Sequence, residues 1–165
     1  MLPARRNFLR GKFAAAAPQL RPPWATAEFA QRCTRCGACA KACPEHIIAA
    51  GASGYPGIEF SVGACTFCAA CVDVCKDAAL ARSADSPPWS VKAAIAPTCL
   101  ALNGVECRIC GDACEAGAIR FRPQLGGMYT PTLDLAACSG CGACYAACPA
   151  TAISLSEAAA SAALV

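Results

Sequence analysis

The apolar positions of this 165-residue chain come in short alternating bursts and never in a long helical stripe. Ile47-Ile48 is followed by a turn-rich stretch from Gly51 to Gly57 that contains Pro56, and then by Ile58-Glu59-Phe60-Ser61-Val62, where apolar and polar residues alternate. That is the pattern of two strands joined by a turn, each covered on one face. The plan returns downstream as Ala118-Ile119-Arg120-Phe121-Arg122, a Gly126-Gly127 reversal, and Tyr129 through Leu135. Two hairpins are therefore predicted, one in each half of the chain. No apolar run approaches the roughly 20 residues of a membrane span. Residues 157–165, rich in alanine, read as a frayed helical tail.

The segments flanking the hairpins are dominated by cysteine, sixteen in all. Twelve fall in three copies of C-x2-C-x2-C-x3-C: Cys33, Cys36, Cys39 and Cys43; Cys65, Cys68, Cys71 and Cys75; Cys138, Cys141, Cys144 and Cys148. A stretched set, Cys99, Cys107, Cys110 and Cys114, keeps the last three members and displaces the first. Three thiolates at every third residue, on a backbone wrapping an object, converge on one cube, while the fourth points away toward a second cube. Short helices are predicted to start around each fourth cysteine. Small residues such as Gly37, Ala38, Ala69, Gly140 and Gly142 leave room for the wrap, and Pro44 and Pro149 mark the reversal after the fourth cysteine.

Two rival uses of cysteine fail on spacing. Disulfides are disfavoured because thiols three residues apart offer one another several wrong partners and no ordinary secretory signal precedes them. Structural zinc calls for two pairs separated by a dozen residues or more. Sixteen thiolates suffice instead for four 4Fe-4S clusters. By the two-cluster rule, Cys33, Cys36, Cys39 and Cys75 hold one cubane and Cys65, Cys68, Cys71 and Cys43 the next. Cys138, Cys141, Cys144 and Cys114 hold a third, and Cys99, Cys107, Cys110 and Cys148 the fourth. Seven residues separate Cys99 from Cys107, so a buried free thiol is the competing reading of Cys99.

Charge and composition refine this picture. The formal net charge of +3 counts thiols as neutral. Four oxidised clusters of roughly −2 each bring the holoprotein to about −5, and no basic stripe interleaved with aromatics points to nucleic acid. Large aliphatic side chains are sparse, so metal binding is expected to supply most of the folding free energy, with an apo chain that is largely disordered. Full thiolate ligation leaves no open iron position for a substrate. The chain is accordingly read as no enzyme but a carrier or donor of electrons or clusters. His46, the single histidine, follows a complete ligand set and is read as solvent-facing. Lys76 replaces the proline of the other regular sets, as a surface lysine or as a charge that raises a cluster potential.

The predicted fold class is α+β, with two tandem two-cluster ferredoxin-like modules of short helices and hairpins. The divisions are a basic flexible arm at 1–27, a first module at 28–83, a linker strand plus second module at 84–156, and a tail at 157–165. Cys33 and Cys65 are 32 residues apart, Cys107 and Cys138 31, and the approaches Pro22-Pro23-Trp24 and Pro87-Pro88-Trp89 echo each other, which reads as duplication. Packing of both tryptophans on a strand edge is the plainer reading of their role. Residues 1–26 contain Arg5, Arg6, Arg10, Lys12 and Arg21 and no acidic residue. Ala4-Arg5-Arg6-Asn7-Phe8-Leu9-Arg10 looks like a twin-arginine signal, but only Phe13 to Ala17 supplies an apolar stretch, so a docking arm is favoured over export.

Taken together, Arg21-Pro22-Pro23-Trp24, Cys33-Thr34-Arg35-Cys36, Gly54-Tyr55-Pro56, Cys65-Thr66-Phe67-Cys68, Val105-Glu106-Cys107-Arg108, Phe121-Arg122-Pro123 and Cys138-Ser139-Gly140-Cys141-Gly142-Ala143-Cys144 resemble the NapF family. These are ferredoxin-type accessory proteins of the bacterial periplasmic nitrate reductase system. The resemblance spans nearly the whole chain, including the stretched cysteine set. It implies a cytoplasmic protein that contacts the catalytic nitrate reductase subunit before export and helps to load or reduce its iron-sulfur cluster. A general low-potential electron-transfer polyferredoxin, or an electron-wire subunit working with a redox partner protein, is the alternative.

Overall fold

The computed structural model describes residues 19–51, 53–83, 87–124 and 126–158. The Arg5-Arg6 segment lies outside them, as do residues 159–165 of the expected tail. In the amino-terminal half, helices α1 (Phe29–Arg32) and α2 (Ala38–Ala42) precede strands β1 (Ile48–Ala50) and β2 (Pro56–Ile58), and helix α3 (Ala70–Asp73) follows. The other half runs β3 (Val91–Ile95), a 3-10 turn (Ala101–Asn103), α4 (Ile109–Asp112), β4 (Ile119–Pro123), β5 (Tyr129–Leu133), α5 (Ala143–Ala147) and β6 (Ile153–Glu157).

Each half nests a hairpin inside an outer pairing of its two ends. β4 pairs antiparallel with β5, Ile119 opposite Leu133, and the chain reverses through Gly126 and Gly127 at φ 96° and 81°, values open to glycine at no steric cost. β3 pairs antiparallel with β6 around them, Val91 opposite Glu157 and Ile95 opposite Ile153. In the amino-terminal half the inner hairpin is β1–β2, and the outer pairing shrinks to a single bridge between Ala25 and Leu80. Two backbone hydrogen bonds frame that bridge, Thr26 N–H to Ala79 O at 3.0 Å and Ala81 N–H to Trp24 O at 3.0 Å. Short helices and small antiparallel sheets make this an α+β, ferredoxin-like arrangement.

Three expectations need correction. The one-turn helices do not start at the fourth cysteines: α2 and α5 end there, with Cys43 and Cys148 as extended C-caps. The proline that follows each cap cannot continue a helix, so it stops the turn and releases the thiol outward. The alternating run 58–62 is strand only as far as Ile58, because Glu59 N–H turns back to Ile47 O at 2.8 Å and its carboxylate accepts Ser61 N–H. Nor is the arm free up to residue 27. Leu20 O accepts Ile58 N–H at 2.9 Å, and Pro22 and Pro23 are fully buried.

The core is small and partly made of the cysteines themselves. Phe29, Ile47, Ile48, Ile58, Phe60 and Leu80 are buried with Cys43 and Cys71 in one half. Ala93, Ala118, Ile119 and Ile153 are buried with Cys110, Cys138 and Cys144 in the other. Leu155 on β6 packs against both groups. Among the described residues no helix is long and apolar enough to cross a membrane.

Candidate metal centres

The three regular cysteine sets share one backbone signature. The residues on either side of the second cysteine are left-handed in every copy: Arg35 and Gly37 (φ 60° and 73°), Phe67 and Ala69 (55° and 64°), Gly140 and Gly142 (74° and 89°). The chain then makes one helical turn that carries the third cysteine and delivers the fourth at its end. Three residues past the fourth cysteine the backbone is left-handed again, at His46, Ala78, Gly117 and Thr151. Of the seven described non-glycine residues with positive φ, six sit at these positions. Each costs about 1–2 kcal/mol, so a concentration of them needs a compensating ligand. Alternating handedness forms concave nests of amides that suit an anion. The stretched set keeps only Gly117 of this signature, since Arg108 after its second cysteine has φ −130°.

The folded loops bring thiols from different sets together. Cys33, Cys36, Cys39 and Cys75 line one hollow. Cys43, Cys65, Cys68 and Cys71 line another, and Cys114, Cys138, Cys141 and Cys144 a third. Each hollow takes three thiols from one set and the fourth from its neighbour. The remaining four meet through Cys110, whose thiol is pushed up to about 11 by burial and then by the charges of Cys99, Cys148 and Cys107. The residues inserted after Cys99 coil into the 3-10 turn and fold back, and Asn103 Nδ2 donates to Pro97 O at 2.7 Å and Cys99 O at 2.8 Å. Cys99 is thereby buried beside Ala101 and Ala152, and Cys148 packs against that group.

Among the described residues no three His, Cys, Asp or Glu side chains converge at the spacing of a single metal ion. The thiols ring a volume instead. Burial pushes Cys65 up to about 11, with the charges of Cys43, Cys68 and Cys141 adding to it against an opposing Phe67 amide. Burial likewise pushes Cys71 and Cys144 up to about 12. Four bare thiolates cannot share such a hollow, so the fold suits iron that replaces the protons. Leu80 N–H lies 3.4 Å from Cys75 Sγ and Ala152 N–H 3.3 Å from Cys148 Sγ, contacts of the kind that tune cluster potentials. Donor set, strained loops and sulfur-directed amides fit 4Fe-4S clusters, which supply one-electron chemistry when bound.

Access differs among the hollows. Cys36 and Cys68 are exposed, whereas Cys43, Cys71, Cys99, Cys110, Cys138 and Cys144 are buried. Cys36 is held below the ordinary thiol range by the amide of Ala38 and the hydroxyl of Thr34. Lys76 is exposed and lies on the rim of the first hollow beside Asp77, which accepts the Thr34 hydroxyl at 2.8 Å. His46 is exposed, as expected.

Sequence reasoning missed the residues at the seam of the two halves. Cys65 N–H donates across it to Cys141 O at 2.8 Å, while within the second half Trp89 Nε1 donates to Ser139 O at 2.9 Å and Lys92 Nζ to Cys138 O. Phe60 and Phe67 both meet Trp89 edge-on, at 5.9 and 5.7 Å between ring centroids, and Phe67 also meets Trp24 at 6.5 Å. The repeated Pro-Pro-Trp was the available signal: Trp24 N–H donates to Pro88 O at 2.6 Å, so the two approaches touch each other.

A model of the 4Fe-4S dicluster domain matches residues 32–79 and 105–158. Over 93% of both chains, the protein is 44% identical to the ferredoxin-type protein NapF of Haemophilus influenzae. It is 44% identical to the ferredoxin-type protein NapF of Escherichia coli K12 over 91% of this chain and 92% of that one. It also resembles the methylamine utilization ferredoxin-type protein MauM of Methylobacillus flagellatus, 35% identical over 86% of this chain and 68% of the relative. With two stretches of dicluster domain and a likeness that runs almost end to end, the chain belongs to the NapF family of 4Fe-4S ferredoxin-type proteins.

Proposed function

We propose that this protein carries four 4Fe-4S clusters in two modules, 28–83 and 84–156, and assists maturation of the catalytic subunit of periplasmic nitrate reductase in the cytoplasm before export. The ligand sets are Cys33, Cys36, Cys39 and Cys75; Cys65, Cys68, Cys71 and Cys43; Cys138, Cys141, Cys144 and Cys114; Cys99, Cys107, Cys110 and Cys148. The observation that carries the cluster reading is the cross-set grouping of thiols, three from one set and one from the next around each described hollow. With every iron closed by thiolate, the chain's residues perform no substrate chemistry. The loops hold the sulfurs, their amides stabilise negative charge, and the buried cysteines exclude water.

The nitrate reductase partner rests on the family resemblance. The exposed Cys36 and Cys68 support a contact role, since they bring the first two hollows to the surface where a partner protein reaches them. Anaerobic mixing of isotopically iron-labelled holoprotein with cluster-free nitrate reductase, followed by mass spectrometry of both chains, and of reduced holoprotein with the oxidised cluster-loaded reductase, followed by EPR, tests the role. Iron arriving in the reductase supports cluster loading, and electrons arriving without iron support reduction. Failure of both would overturn the maturation role and leave the electron-carrier alternative.

A further inference from the structure

The loop 138–142 is gripped on three successive sides by groups outside the third hollow. Lys92 Nζ holds Cys138 O, Trp89 Nε1 holds Ser139 O, and Cys65 N–H holds Cys141 O. The backbone approaches are equally close. A β-carbon at Gly140 would overlap Val91 O, and one at Gly142 would overlap the ring of Phe60. Cys65 lines the second hollow and Cys141 the third, so one backbone hydrogen bond links the walls of hollows belonging to different halves. The rings of Phe60, Trp89 and Phe67 fill the space alongside, and Tyr145 on α5 meets Phe60 at 6.5 Å.

We infer that the Cys65–Cys141 contact, clamped by Phe60 and Trp89, is the electron crossing between the two halves, so that four cluster sites form one continuous line instead of two independent pairs. The crossing joins the inner sites, ringed by Cys43, Cys65, Cys68 and Cys71 and by Cys114, Cys138, Cys141 and Cys144. The outer sites, with Cys33 at one end and Cys99 at the other, become the terminals. At the crossing one side is oxidised by one electron and the other reduced by one. No bond is made or broken and no proton moves. The first electron comes from a low-potential reductant, dithionite in the test. Phe60 and Trp89 act here as positioning residues, since they hold the loop in register through the Gly142 contact and the Ser139 O hydrogen bond.

This inference rests on the cluster reading proposed above, and its test separates the two. Full-length protein is assembled anaerobically, and iron and acid-labile sulfide are counted. An iron-free product overturns both readings. In iron-replete protein reduced with dithionite, EPR is expected to show spin coupling beyond that of two isolated pairs. Phe60→Ala is expected to remove that extra coupling, to accelerate amide exchange in the peptide containing Cys65, and to slow redistribution of pulse-delivered electrons about tenfold. Trp89→Phe, which removes the indole donor and keeps the ring, provides a milder variant should Phe60→Ala fail to fold. Iron-replete protein whose coupling and redistribution rate stay unchanged while Cys65 exchange accelerates would overturn the crossing and leave the cluster reading intact.

Discussion

The ring of Phe60 lies against the α-carbon of Gly142, in space that a β-carbon would need. The equivalent left-handed position in the second cysteine set is filled by Ala69, so left-handedness alone does not demand glycine there. Packing against the opposite half does. Gly142→Ala is expected to cost about 2–4 kcal/mol, from overlap plus backbone strain, read as earlier thermal bleaching of cluster absorbance. Combined with Phe60→Ala, the added cost of Gly142→Ala should shrink to that of strain alone. Strict additivity of the two substitutions would refute the contact as its cause.

Cross-set ligation makes a prediction that a one-set scheme does not. Cys75 lines the hollow of Cys33, Cys36 and Cys39 and not that of Cys65, Cys68 and Cys71. Cys75→Ser should therefore perturb the first site, with iron falling by up to one cluster and an altered EPR signal. The signal of the site that holds Cys65 should be retained. Damage confined to that second site would overturn the pairing.

Cys99 discriminates between a fourth ligand and a buried thiol. As a ligand, its replacement by serine lowers iron by roughly a quarter, since one of four equivalent clusters depends on it. As a packing residue it costs stability and no iron. Asn103→Ala removes both donors that close the inserted turn onto Pro97 O and Cys99 O. It should cost about 1–2 kcal/mol and make the same cluster the first lost on warming, as followed by iron release.

The raised thiols set the sign of a pH dependence. Burial lifts Cys65 and Cys110 to about 11 and Cys71 and Cys144 to about 12, so empty sites keep these protons through neutral pH. Iron must displace them, and competition from protons weakens as pH rises. Reconstitution at fixed iron and sulfide should therefore go further at pH 8.5 than at pH 7, measured by cluster absorbance. For the empty chain the contribution of these thiols to folding runs the other way: it is fully present below the ordinary thiol value, near 8.5, and is lost as pH climbs through 11 to 12.

Removal of iron should expose how little else holds the fold. A small core of alanine, a few aliphatics, Trp24, Phe29, Phe60 and the cysteines themselves buries too little to stand alone. Chelation under anaerobic conditions is expected to abolish most of the circular dichroism signal, and a cooperative apo fold surviving at 25 °C would contradict this.

Much of the candidate site was legible in the chain because the wrap around each run of three cysteines is local. C-x2-C-x2-C carries its own geometry, and the hairpins announced themselves at Ile47-Ile48 and Ile119 through alternation and glycine. Helix placement was misread because the fourth cysteine was taken as a helix start, whereas Cys43 and Cys148 cap helix ends and the proline after each stops the turn. The last residues of the arm were misread from its charge: Pro22, Pro23 and Trp24 are buried against the body. Nothing in Phe67 itself showed that an aromatic would occupy a left-handed position to wedge between Trp24 and Trp89.

By itself the sequence determined the number of cysteines, their division into sets and the two hairpins, because these depend on residues close together along the chain. The tertiary structure alone decided that Cys99 comes to lie with Cys110, that Leu20 to Trp24 join the body, and that the loops of Cys65 and Cys141 share a hydrogen bond. Those pairings join residues distant along the chain, and their energy comes from ring packing and backbone approach. Neither leaves a periodic trace in the residues that make it.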